Sequence, residues 1–213
     1  MGHGLTGKML LAGYARGIFP MAESRDDPTL YWVDPRQRGV IPLDGFHLSR
    51  SLARTIRRSS FRISTDAAFA AVVDGCAARA ETWINAPLRA LYNDLHAKGV
   101  AHSLEVWAGD QLIGGVFGIA LGGAFFGESM FSLRRDASKI ALTCLVDRLR
   151  QAGFSLLDTQ FLTPHLASLG GVEIPRAEYR RQLARALRQD ADFTAPPPAP
   201  DTQSILQRMI QTS

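Results

Sequence analysis

Glu128 is the only acid in an apolar, glycine-rich run, Gly122-Gly123-Ala124-Phe125-Phe126-Gly127-Glu128-Ser129-Met130-Phe131-Ser132. A carboxylate in such a frame must be paired or functional, because burying it alone is costly. The glycines on either side let a ligand approach the backbone. Thirty residues on, the pattern returns as Leu156-Leu157-Asp158-Thr159-Gln160-Phe161. Asp158 and Gln160 are two apart, so a regular strand places them on one face. Two strand-like segments, each with a lone acid, point to one polar site inside an apolar pocket. Such a site can accept a proton and orient a substrate. Metal chemistry is not expected, since His3, His47, His96, His102 and His165 show no paired ligand spacing. A Ser-His nucleophile is weak as well. His102 and Ser103 are neighbours and would point to opposite faces of a strand, so His102 reads as a hydrogen-bonded strand residue.

These residues need elements to hold them. Residues 7–17 read as a short helix stopped by Gly17, and Phe19-Pro20 breaks the chain. Tyr31 to Val33 is a strand candidate ended by Asp34-Pro35. A helix over 49–58 opens at Ser49. Its Arg50, Arg54, Arg57 and Arg58 share one face, and Leu52 and Ile56 take the other. Phe61 to Ser64 reads as a strand, then helices over 66–79 and 86–98. The middle alternates as a β meander: His102 to Ala108, Leu112 to Leu121, a turn at Gly122-Gly123, and Ala124 to Phe131. Residues 136–152 form an amphipathic helix with Asp136 as its cap and Gly153 as its stop. A strand over 154–161 and helices over 164–169 and 177–188 follow. Residues 195–200 are a Pro-rich spacer, and the last dozen residues form a short appendage.

Composition sets the outer bounds. The 213 residues are 46% hydrophobic and 21% charged, which suits one soluble globular domain with a small annex. No apolar run is long enough to span a membrane, and the N-terminus lacks a signal pattern. Cys76 and Cys144 are far apart in apolar contexts, so a disulfide framework is not expected and the cytoplasm is the expected compartment. The net charge of +4 leans mildly toward anionic partners.

The order of elements fits an α+β, acetyltransferase-like (GNAT-like) architecture with a small N-terminal annex. We divide the chain into a small N-terminal subdomain at 1–36, an acetyltransferase-like catalytic domain at 37–190 and a Pro-rich tail at 191–213. An acyl-CoA enzyme of this fold needs a glycine-rich loop that holds pyrophosphate on backbone N–H groups. Here that connection, Ser132-Leu133-Arg134-Arg135-Asp136-Ala137-Ser138-Lys139, contains no glycine.

Several motifs now stand in one order: Gly17-Ile18-Phe19-Pro20; Trp32 with Asp34-Pro35-Arg36; Thr82-Trp83-Ile84; and Ala101 to Trp107. Gly114 to Gly118, Gly127 to Ser132, Ala137-Ser138-Lys139, Asp158-Thr159-Gln160 and His165 to Gly170 complete them. From about residue 9 to 188 the chain resembles the leucyl/phenylalanyl-tRNA–protein transferases. The resemblance implies transfer of Leu or Phe, less so Met, from aminoacyl-tRNA to a protein's N-terminal Arg or Lys. The product carries an N-end-rule degradation signal. No cofactor, metal or CoA is implied, and a monomer is expected.

By the same resemblance, Asp158 and Gln160 orient and assist the attacking amine, and Glu128 is the acid of the aminoacyl pocket. Val116, Phe125, Gly127, Met130 and Leu157 would form that pocket. Trp83 and Tyr92 match positions facing the terminal adenosine or aminoacyl group, with Met21 nearby where a tryptophan is common. Thr159 stands where many members carry cysteine, and the glycine-rich lead-in is reduced to Gly4-Leu5-Thr6-Gly7. The Arg50/Arg54/Arg57/Arg58 face would meet the acceptor stem by shape and charge. Two other readings stay open at this point: an acyl-CoA-dependent N-acyltransferase and a non-catalytic RNA-binding module.

Overall fold

A computed structural model describes residues 5–211, so His3 and Gly4 lie outside it. Helix α1 spans Gly7–Ala15, with the Thr6 hydroxyl accepting from the Met9 amide. Strands β1 (Phe19–Met21) and β2 (Tyr31–Val33) pair as a small antiparallel ribbon. Pro20 does not interrupt this ribbon, because a proline is tolerated where its missing N–H faces away from a partner. Strand β3 (Gln37–Ile41) follows, then α2 (Arg50–Arg58), opened by Ser49 as expected. Next come β4 (Arg62–Thr65), α3 (Phe69–Ala77) and α4 (Ala86–Ala97). The meander is β5 (Ala101–Ala108), β6 (Gln111–Leu121) and β7 (Ala124–Ser132). Helix α5 (Ala137–Gln151) leads to β8 (Leu156–Gln160), α6 (Pro164–Ala167), β9 (Val172–Pro175), α7 (Arg176–Ala186) and α8 (Thr202–Gln211).

The result is a mixed α/β protein built on a large sheet. Seven strands run in the order β4-β5-β6-β7-β8-β3-β9. All neighbours are antiparallel except β7 and β8, which are parallel and joined through α5. Alternating strand residues feed two cores, one on each face. Leu104, Val116, Phe125 and Leu157 join residues of α2, α5 and α8. Phe117, Ile119, Phe126 and Leu156 join residues of α1, α3, α4 and α7.

Four local expectations change. Strand β3 has no clear alternation and lies between Pro35 and Pro42, and β9 is only four residues long, yet the tertiary fold places β3 inside the sheet. Asp136 precedes α5 but makes no side-chain cap. Its backbone is left-handed, and Ser132 Oγ accepts from the Ser138 amide instead. The helix expected from residue 66 starts at Phe69, because Asp66 turns left-handed and its carboxylate takes His102 Nδ1 at 2.8 Å. The expected C-terminal appendage is α8, whose Ile205, Leu206 and Met209 are buried in the first core. Arg208 forks onto buried Asp147 at 2.8 and 2.7 Å, and Arg148 donates to the carbonyls of Phe193, Pro196 and Pro197. A planar, always charged guanidinium suits both contacts.

Candidate active site

Strands β7 and β8 pair only at Ala124–Leu156, Phe125–Leu157 and Phe126–Asp158. Beyond those pairs a cavity of about 680 Å³ is walled by Gly127 to Leu133 on one side and Thr159 to Phe161 on the other. Its apolar lining comes from both cores. Val116, Met130, Leu142, Leu145 and Leu166 belong to or pack on one; Phe19, Met21, Trp83 and Phe131 to the other. The slot therefore runs through the sheet where the strands part.

Glu128 sits at a β-bulge. Ser129 opposes Phe117 and Gly127 opposes Gly118, which leaves Glu128 as the extra residue. A bulge re-aims a side chain and shifts the alternation beyond it. That shift is why Phe125 and Met130, five apart, face the same core. Tyr14 Oη donates to Glu128 Oε1 at 2.6 Å and Tyr92 Oη to Oε2 at 2.8 Å. Glu128 keeps partial exposure through the cavity it lines. Burial nevertheless pushes its carboxyl from 4.5 to about 7, and Asp158 adds to the rise. The two tyrosine hydrogen bonds and Arg38 oppose the shift without cancelling it. Burial also drives both tyrosine hydroxyls well above the usual range, so they remain donors.

Gln160 forms the opposite wall. Its backbone is left-handed at φ 57°, a costly conformation for a residue with a β-carbon. Its side chain is buried, lines the cavity, and leaves Nε2 without a partner. Thr159 Oγ1 and His165 Nε2 are also buried, unpartnered and on the cavity wall. Burial, with Lys139 nearby, lowers the His165 imidazole below its ordinary value. Orphaned polar atoms converging on one cavity are what an unfilled ligand site leaves behind.

Asp158 does not reach this cavity. It is fully buried and accepts Arg38 Nε at 2.8 Å and the Gln160 amide at 2.8 Å on Oδ1. On Oδ2 it accepts Arg38 Nη2 at 2.6 Å and Tyr179 Oη at 2.7 Å. Phe126 opposite it fixes the face on which it lies. Arg38, from the unexpected strand β3, also donates to the Gly17 carbonyl at 3.0 Å and lies 4.5 Å from the ring centroids of Phe19 and Tyr179.

Of the expected site residues, the fold brings Met21, Trp83, Val116, Gly127, Glu128, Met130 and Gln160 to the cavity surface. Tyr92, Phe125 and Leu157 are fully buried and do not line it. Tyr92 acts on it through Glu128 and through Trp83, whose ring it meets edge-on at 6.4 Å; Phe125 and Leu157 belong to the core behind it. At Gly127 an added β-carbon would come no closer than 3.5 Å to protein, so that glycine leaves the wall open rather than relieving a clash. Tyr14, Arg38 and Tyr179 were not foreseen. No local signal singles out Arg38, since Arg36 is a second charge between Pro35 and Pro42. His102 is a hydrogen-bonded strand residue as expected, stacked on Phe193 at 4.4 Å. Arg50, Arg54, Arg57 and Arg58 are all exposed on α2 and form no ion pair with a described residue. Among the described residues no group of three His, Cys, Asp or Glu side chains could hold a metal ion, and no helix is long and apolar enough to cross a membrane. At the start of α5 the Ala137 amide bonds Arg134 O at 3.1 Å and the Ser138 amide bonds Ser132 Oγ at 3.2 Å. Two of the donors a pyrophosphate would need are thus occupied by the loop itself.

The family model described as leucyl/phenylalanyl-tRNA protein transferase matches residues 40–184, and the model for its N-terminal domain matches residues 5–36. A leucyl/phenylalanyl-tRNA–protein transferase of Ruegeria pomeroyi is 66% identical over 98% of this chain and 99% of its own. One from Cereibacter sphaeroides is 62% identical over 98% of each, and one from Paracoccus denitrificans 57% over the full length of both. Among solved structures, the C-terminal domain of a putative lysylphosphatidylglycerol synthetase from Agrobacterium fabrum is similar at TM-score 0.41 and 13% identity, over 78% of this chain and 56% of that one. A parted-strand cavity and these matches make the chain a transferase. It belongs to the leucyl/phenylalanyl-tRNA–protein transferase family.

Proposed function

We propose that the chain moves leucine or phenylalanine, and methionine less readily, from aminoacyl-tRNA to the N-terminal Arg or Lys of a protein. On this reading it acts as a cofactor-free monomer in the cytoplasm, on a GNAT-like fold, and its product is marked for N-end-rule degradation. One observation carries the reading: a titratable carboxylate and an unpartnered carboxamide face each other across a slot with an apolar floor.

The aminoacyl ester is already activated. The acceptor amine attacks its carbonyl carbon, the C–N bond forms, and the C–O bond to the terminal ribose breaks. Val116, Met130, Leu142, Leu145 and Leu166 take the side chain. Gln160 Nε2 donates to the oxygen that gains charge. Glu128 takes the proton from the attacking amine, and that proton ends on the ribose oxygen. A base with a value near 7 suits this task at neutral pH. Met21 and Trp83 offer apolar and aromatic faces for the unpaired terminal base. Asp158 is the remaining member of the proposed catalytic set, acting through Gln160.

The deciding assay is transfer of labelled amino acid from Leu-, Phe- and Ile-tRNA to peptides beginning with Arg, Lys or Ala. We expect Leu and Phe on Arg and Lys peptides only. No transfer by folded protein, or Ile used as well as Leu, sinks the reading.

Two further results are expected. With Glu128→Gln, the rise in rate as pH increases through about 7 disappears, while a rise near 8 from the acceptor amine remains. The same variant changes stability in a definite direction. Because the folded value lies above 4.5, native protein binds the proton more tightly, and ionising Glu128 costs stability as pH rises from 4.5 to about 7. Thermal unfolding of Glu128→Gln should lose that slope. Second, removing the charges of Arg50, Arg54, Arg57 and Arg58 should weaken tRNA binding and flatten its salt dependence, by about one in log–log slope for each phosphate no longer neutralised. A salt titration of tRNA affinity measures it, and an unchanged slope excludes α2 from the interface.

A further inference from the structure

Asp158 presents four acceptor positions, and the fold fills all four. Arg38 takes one on each oxygen, Tyr179 a second on Oδ2, and the Gln160 amide a second on Oδ1. No lone pair is left to aim at the cavity, whose wall Asp158 does not join. The same contacts bear on the strained residue beside it. Gln160 opposes Gly39 where the β3–β8 register shifts, and a β-carbon on Gly39 would lie 2.6 Å from the Phe161 carbonyl carbon. The left-handed turn at Gln160 is thus gripped from one side by Asp158 and given room on the other by Gly39.

We propose that Arg38, Tyr179 and Gly39 are positioning residues for the transfer: they hold Asp158 as a fixed clamp on the Gln160 turn, so that Asp158 aims the carboxamide and takes no proton itself. This rests on the transfer reading above for its kinetics, though not for its geometry. Arg38 lies between the rings of Phe19 and Tyr179 and is tied to the Gly17 carbonyl, so the clamp joins the N-terminal ribbon, β3 and α7 to one turn. None of these elements contributes a charged group to the cavity wall.

The test uses the full chain with Tyr179→Phe, Arg38→Lys and Gly39→Ala, with folding checked by circular dichroism. Transfer is followed at varied aminoacyl-tRNA and peptide concentrations and from pH 5.5 to 9. A misaimed carboxamide should lower kcat by about 10- to 100-fold. KM for both substrates should stay within about twofold, since ground-state contacts are untouched. The rise through about 7 should not move in Tyr179→Phe or Gly39→Ala. A kcat equal to wild type in all three overturns the proposal. So does a rise that shifts with Tyr179→Phe, which would make Asp158 the titrating base. Crystal structures of the variants decide the geometry independently: a Gln160 backbone that stays left-handed with its amide unmoved in Arg38→Lys and Gly39→Ala also overturns it. If wild-type protein transfers nothing, the transfer reading fails while those structures still judge the clamp.

Discussion

Asp158→Ala is expected to destabilise the protein by about 3–5 kcal/mol, because it leaves the Arg38 guanidinium buried without its counter-charge. At the size of this chain, each kcal/mol moves the midpoint by about 2–4 °C, so calorimetry should show a fall of roughly 6–20 °C. Arg38 is only 1% exposed and cannot turn to water. Its remaining partners, the Gly17 carbonyl and two aromatic rings, do not carry a full negative charge. The loss is electrostatic rather than volumetric, which a second variant separates. Replacing both members, Arg38→Met with Asp158→Leu, removes the charges together and should recover most of the stability. That double variant should still transfer more slowly than wild type, since nothing then holds the Gln160 amide. A double variant as unstable as Asp158→Ala would mean that shape, not charge, sets the cost.

Gln160→Ala is expected to lower kcat by about 10²- to 10³-fold with little change in KM, the usual effect of deleting one donor to a developing oxyanion. Its effect on stability should run the other way. The Nε2 group is a buried donor without a partner, which costs about 1–3 kcal/mol, and the left-handed backbone adds strain. Gln160→Gly relieves both, so it should unfold at a higher temperature than wild type while losing the same activity. Steady-state transfer kinetics and a thermal melt on each variant suffice. An active Gln160→Gly protein would remove the carboxamide from the chemistry. A destabilised one would show that Gln160 serves the fold.

Much of the site was legible before the fold was known. Glu128 and Asp158-Thr159-Gln160 stand out because lone polar groups interrupt apolar strands, and the cavity does open between those strands. The central meander, α2 and α5 follow from alternation and helical spacing. What was not legible has a shared cause. Tyr14, Arg38 and Tyr179 meet Glu128 and Asp158 across separations of 114, 120 and 21 residues, and no local pattern marks such pairs. Strand β3 is a strand only because β8 and β9 flank it, which no short stretch with a proline at each end announces.

The sequence by itself determined which residues could be polar in a greasy frame, which helix would carry an unbalanced positive face, and which family the chain would resemble. These depend on residue type and near-neighbour spacing. Tertiary structure alone decided the roles. It put Glu128 on a bulge beneath two tyrosines and raised its proton affinity by burial. It closed Asp158 inside a ring of donors and left Gln160 facing the cavity. Two acids that look equivalent in the chain differ because desolvation and hydrogen bonding depend on what folds around a carboxylate.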